Sequence, residues 1–83
     1  MAMQNLSFKK KPAVLEQTSF SHANLYLRIR KGLFPSPVKI GRTSVWIDSE
    51  INTMCKAHAA GLNDVKLREL VEKLKADRKN LMQ

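Results

Sequence analysis

Ser21, His22 and Asp48 supply the three side-chain types of a hydrolytic triad, and Cys55 and His58, three residues apart, are types that bind soft metals. Neither set is completed by its surroundings. No nucleophile elbow, glycine-rich phosphate loop or pair of carboxylates accompanies the first. A four-ligand zinc site needs more nitrogen and sulfur donors than Cys55, His58 and the other histidine, His22, provide. Packing on an apolar helix face accounts for Cys55 and His58. The sequence therefore reads as a non-enzyme with no catalytic residues, no cofactor and no metal site. The chemistry that the spacing does support is electrostatic. The stretch "RIRKGLFPSPVKIGRTSVW", residues 28–46, holds Arg28, Arg30, Lys31, Lys39 and Arg42, and no acid lies between Glu16 and Asp48. A run of cations with no internal counter-charge attracts phosphate.

The whole chain carries the same bias. Its 83 residues include 15 Lys plus Arg against 7 Asp plus Glu, a net charge of +8. This balance points to a polyanionic partner, nucleic acid or an anionic membrane surface. No apolar run approaches the roughly 20 residues needed to span a bilayer. "MAMQNLSFKKKP" has no apolar core of a secretory signal. One cysteine makes no internal disulfide, which suits a reducing compartment. A cytoplasmic, nucleoid-associated protein is expected. At this length there is room for one modest core, and a hydrophobic fraction of 43% is enough to fold it.

The elements that must position the cations can be read from local signals. Pro12 suits the first turn of a helix that Ala13, Val14, Leu15, Glu16 and Gln17 continue. "TSFS" then turns, and Ser21 is placed to N-cap a second helix over about 22–31, with Leu25 and Ile29 on its core face and Gly32 ending it. Two short helices across a tight turn predict a helix-turn-helix. Pro35 and Pro37 enforce an extended segment. "VKI" and "VWI" flank the four-residue connector "GRTS" and read as a hairpin, the wing of a winged helix-turn-helix. Asp48 is placed to N-cap a third helix whose Ile51, Met54, Cys55, His58 and Ala59 share one face, ended by Gly61. A last helix is expected from about 63 to 81. The fold class is mainly α with a small β-hairpin, divided into a basic arm (1–11), a winged helix-turn-helix (12–61) and a C-terminal helix (62–83).

On this frame the second helix enters a major groove of double-stranded DNA and the hairpin reaches the flanking backbone or minor groove. The helix offers Ser21, His22, Asn24, Tyr26, Leu27, Arg28, Arg30 and Lys31, and the hairpin offers Lys39, Arg42, Thr43 and Ser44. Some of these carry two readings. Asn24 pairs with adenine or caps its own backbone, and His22 is a contact or plain surface. Tyr26 covers core with its ring and presents its hydroxyl to phosphate. Lys9, Lys10 and Lys11 are a soluble arm or a further phosphate contact. Trp46 and Phe34 are expected in the core, because stacking platforms for single strands show several aromatics.

Residues 18–51, "TSFSHANLYLRIRKGLFPSPVKIGRTSVWIDSEI", resemble the AlpA family of phage and prophage regulators. The family pattern is approximately T-G-x-S-x-x-[ST]-[IL]-Y-R-x-I-x-x-G-x-F-P-x-P-V-K-[IL]-G followed by R-x-x-x-W-x-x-S-E-[IV]. Gly32, Phe34, Pro35, Pro37, Val38, Lys39, Ile40, Gly41, Arg42, Trp46, Ser49 and Glu50 agree with it without a gap, and "PAVLEQ" is similar to the family's "PEVLRR" upstream. The resemblance covers about residues 12–55. It implies a MerR-like, excisionase-related winged helix-turn-helix that regulates transcription of integrase or excision genes, or that acts as a recombination directionality factor bending attachment-site DNA beside a phage integrase. Two departures matter. Ser19 stands where the family has a turn glycine, a position that calls for positive φ. Leu27 stands where the family usually carries arginine, so one DNA contact is lost or is replaced by apolar contact with a thymine methyl.

Beyond the match, Leu67, Leu70, Val71, Leu74 and Leu81 form a stripe on the last helix, which Arg78 interrupts. The stripe is short for a coiled-coil seam, so it either packs on its own domain or makes a homodimer. A protein-interaction module such as an antirepressor, working through the same stripe, is the reading from a different class. No membrane association is expected.

Overall fold

Lys11 and Pro12 open the first helix, where a missing N–H costs nothing. The computed structural model describes residues 6–81. In chain order the elements are β1 (Phe8–Lys9), α1 (Lys11–Thr18), α2 (His22–Arg30), β2 (Val38–Ile40), β3 (Thr43–Ile47), α3 (Asp48–Ala59), α4 (Asp64–Asp77) and a 3-10 turn at Arg78–Asn80. The fold is mainly helical with a small antiparallel sheet, as a winged helix-turn-helix requires.

Ser21 caps α2 by accepting the Asn24 backbone N–H at 3.1 Å, and Asn63 caps α4 by accepting that of Lys66 at 2.9 Å. Ser19 ends α1 with φ 64° and ψ 17°, the left-handed conformation that glycine adopts freely. A serine pays a steric penalty there that outweighs the extra chain entropy a glycine loses on folding. Ser19→Gly is therefore expected to stabilise the fold by about 0.5–1 kcal/mol. The check is a higher urea midpoint at unchanged slope.

β3 is the central strand, with β1 and β2 on either side. Val38 faces Val45, Lys39 faces Ser44 and Ile40 faces Thr43. The connector is thus two residues, Gly41 and Arg42, rather than the four expected: Thr43 and Ser44 already belong to the strand. Gly41 has φ 62° at the first central position, which suits a two-residue II′ hairpin turn.

The basic arm contains a strand that sequence patterning did not indicate. Phe8 pairs with Ile47 and Lys9 with Trp46. Lys9 bonds Gln17 and lies 3.0 Å from the Asp48 carboxylate. Lys9 is thereby a structural cation, and the arm over these residues is part of the domain. Residues 1–5 of the expected arm lie outside the described residues. Asp48 is the first residue of α3 rather than its cap: Ile47 holds the cap position without a side-chain bond.

Trp46 fills the space between sheet and helices at 1% exposure, its indole N–H donating to the Pro35 carbonyl at 3.2 Å. Val14, Leu25, Phe34, Ile51 and Met54 pack in the same cluster, and so do Leu67 and Val71 of α4. Leu70 and Leu74 rest against it half-buried, and Leu81 is exposed. Of the stripe, Leu67, Leu70, Val71 and Leu74 pack on their own domain, and Leu81 does not. α4 ends before the expected boundary, and the 3-10 turn brings Arg78 onto the buried Glu50 of α3.

Candidate nucleic-acid interface

α2 has two unlike sides. Leu25 is fully buried and Ile29 packs beside it, because these two positions lie one turn apart and face Val14 and Phe34. His22, Ala23, Tyr26, Leu27, Arg30 and then Lys31 face solvent. Gly32, at φ 75°, turns the chain away after one helical cap. The end of the helix is held from below: the Arg68 side chain of α4 donates to the Lys31 carbonyl at 3.0 Å. That bond leaves the charges of Arg30 and Lys31 free while fixing the backbone that carries them.

The residues expected at the interface separate into three groups. Arg30, Lys31, Lys39, Arg42 and Thr43 are exposed, together with His22, Tyr26 and Leu27. Among the described residues the ion pairs are Lys9–Asp48, Lys66–Glu69, Lys73–Asp77 and Arg78–Glu50, so Arg30, Lys31, Lys39 and Arg42 have no carboxylate partner. Ser21 has its hydroxyl engaged in the cap of α2, and Asn24 and Ser44 are half-buried.

Arg28 forms the third group and departs from expectation. It is half-buried with its guanidinium 4.9 Å from the centre of the Phe20 ring, and its buried Nε has no partner. The reason is helical phase: position 28 lies on the flank of α2 that meets the inter-helix turn and the end of α3. Phe20 also meets Phe34 and His58 edge-on, at 5.6 and 6.0 Å. Burial, then the neighbouring Arg28 charge, hold the His58 imidazole below its ordinary pKa, with Asp64 opposing. His58, Cys55, Phe20, Gln17 and Thr18 line a small cleft. Among the described residues no three His, Cys, Asp or Glu side chains gather in a metal-binding group.

Sequence reasoning did not separate Lys11 from the lysine run. Its Nζ lies 5.4 Å over the Tyr26 ring, and the His22 ring is 5.0 Å from the same ring. Tyr26 is exposed, so its ring covers Lys11 and His22 rather than core. The available signal was Pro12, which placed Lys11 at a helix start and thus against the neighbouring helix. The result is a cluster of two polar tips and a cation on the rim of the exposed face of α2.

The exposed helix, the hairpin that follows it in the chain and the acid-free stretch that supplies both fall within one contiguous match. Residues 7–56 fit the family model described as prophage CP4-57 regulatory protein (AlpA). The chain belongs to the AlpA family. Searches of curated proteins and of solved structures returned no match. The AlpA match begins before β1 and ends within α3, so the strand made by Phe8 and Lys9 lies inside the family unit and α4 lies outside it. No helix among the described residues is long and apolar enough to cross a membrane.

Proposed function

We propose that this AlpA-family chain binds double-stranded DNA through α2 and the β2–β3 hairpin and thereby regulates transcription in a prophage or related mobile element. One observation carries this reading: Arg30, Lys31, Lys39 and Arg42 are exposed and unpaired, while Asp48 and Glu50 are committed to Lys9 and Arg78. Leaving four cations unpaired in one acid-free stretch costs stability through mutual repulsion, and a phosphate backbone relieves it. α2 lies in the major groove with Arg30 at base edges. Lys31, Lys39, Thr43 and the Lys11–His22–Tyr26 cluster hold phosphates, and Arg42 at the hairpin turn reaches the flanking groove.

Neutralising about four or five phosphates, through Lys11, Lys31, Lys39 and Arg42 together with Arg30, gives a slope of log K against log salt of roughly −4. The measurement is fluorescence anisotropy on a labelled duplex across a salt series. A flat response overturns the proposal. Promoter control further predicts that the chain leaves integrase-driven excision unchanged in a reconstituted assay. Stimulated excision with a bent attachment site would reassign it as a directionality factor.

A further inference from the structure

The crest of α2 carries no polar side chain. Taking Leu25 as the centre of the buried side and about 100° per residue, Ala23 and Leu27 fall near 160° and 200°, almost opposite the core. Both are exposed, Leu27 at 38%. Arg30 and Lys31 flank them near 140° and 240°. Tyr26 is drawn to one rim by Lys11 and His22. Arg28, the remaining cation of the helix, is turned onto Phe20. The part of the helix that projects furthest is thus a two-residue apolar ridge between cations.

An apolar ridge framed by unpaired cations fits a polyanion with apolar groups on its surface. The major groove of DNA has one such group, the 5-methyl of pyrimidines. We propose that Ala23 and Leu27 read pyrimidine 5-methyl groups, so that this helix selects thymine, or equally 5-methylcytosine, by the methyl and not by the hydrogen-bonding pattern. The inference rests on the DNA-binding reading above. Ala23 and Leu27 are about 6 Å apart along the helix axis, and bases about 3.4 Å apart along a strand, so the two methyls belong to adjacent or next-adjacent base pairs. Neither side chain donates or accepts a hydrogen bond, so neither distinguishes a thymine from a methylated cytosine.

The test starts by selecting bound sites for the full chain from a random-sequence duplex pool. In the selected duplex each pyrimidine is then replaced in turn by thymine, uracil, cytosine or 5-methylcytosine. Burial of one methyl is expected to make thymine about fourfold tighter than uracil, and 5-methylcytosine tighter than cytosine by a similar factor, at one or two central positions. Leu27→Ala should abolish the thymine-to-uracil difference at one of them, with the urea midpoint checked to be that of the parent. Equal binding of thymine and uracil duplexes at every position overturns the proposal while leaving DNA binding intact. So does a thymine-to-uracil difference that Leu27→Ala leaves unchanged at every position. Failure to enrich any duplex, together with a flat salt response, removes the parent reading as well.

Discussion

Arg78→Ala is expected to lower the unfolding free energy by about 3 kcal/mol, a large share of what a domain this small possesses. The Arg78 guanidinium meets Glu50 through two bonds, Nε to Oε2 at 2.8 Å and Nη2 to Oε1 at 2.6 Å, and Nη2 also donates to the Ser36 carbonyl at 2.8 Å. The Glu50 side chain is only 7% exposed. Alanine at position 78 leaves that carboxylate buried with no cation and leaves the Ser36 carbonyl without this donor, and such one-sided removal costs more than the pair contributes. Chemical denaturation measures the loss. Pairing Arg78→Met with Glu50→Gln should recover much of it, because both charges are then absent. A loss below about 1 kcal/mol for Arg78→Ala would reduce the contact to an ordinary surface pair.

This tie also marks where sequence reading reaches its limit. Ser21 as a cap, Pro12 in an opening turn, Leu25 on a buried face and Gly41 in a hairpin are local statements, settled by a few neighbouring residues. Each was legible. Arg78 and Glu50 are 28 residues apart, and in the sequence Arg78 reads only as a break in a leucine row. Its partner is fixed by how α4 docks, which no local pattern encodes. The strand at Phe8–Lys9 is similar: two residues are too few to show alternation, and what makes them a strand is the free edge of β3. On α2, periodicity separated the buried from the exposed side but not the flank. Arg28 sits near that boundary, and the choice between solvent and the Phe20 ring depends on an aromatic residue brought close by the preceding turn. The leucine stripe posed the same difficulty in another form, since an apolar face has the same pattern whether it covers its own core or a second chain. Leu67 and Val71 cover their own core here.

Arg30→Ala should weaken binding to the selected duplex by about 1–3 kcal/mol, five- to 150-fold, and flatten the preference at one base pair. Arg30 is the exposed, unpaired guanidinium of α2, one turn beyond Tyr26 and next to the end that Arg68 holds. A planar fork on a fixed backbone addresses O6 and N7 of a guanine through two parallel N–H bonds, a fit that a flexible, strongly hydrated ammonium makes less well. Arg30→Lys should therefore recover part of the affinity and less of the preference. Lys39→Ala gives the contrasting result, a uniform weakening across sequences with the slope reduced by about one, because a lysine on β2 meets backbone charge alone. Competition with duplexes altered at each position separates the two patterns. If Arg30→Ala weakens every sequence alike, Arg30 is a phosphate contact, and base selection falls to the Ala23–Leu27 ridge and the hairpin.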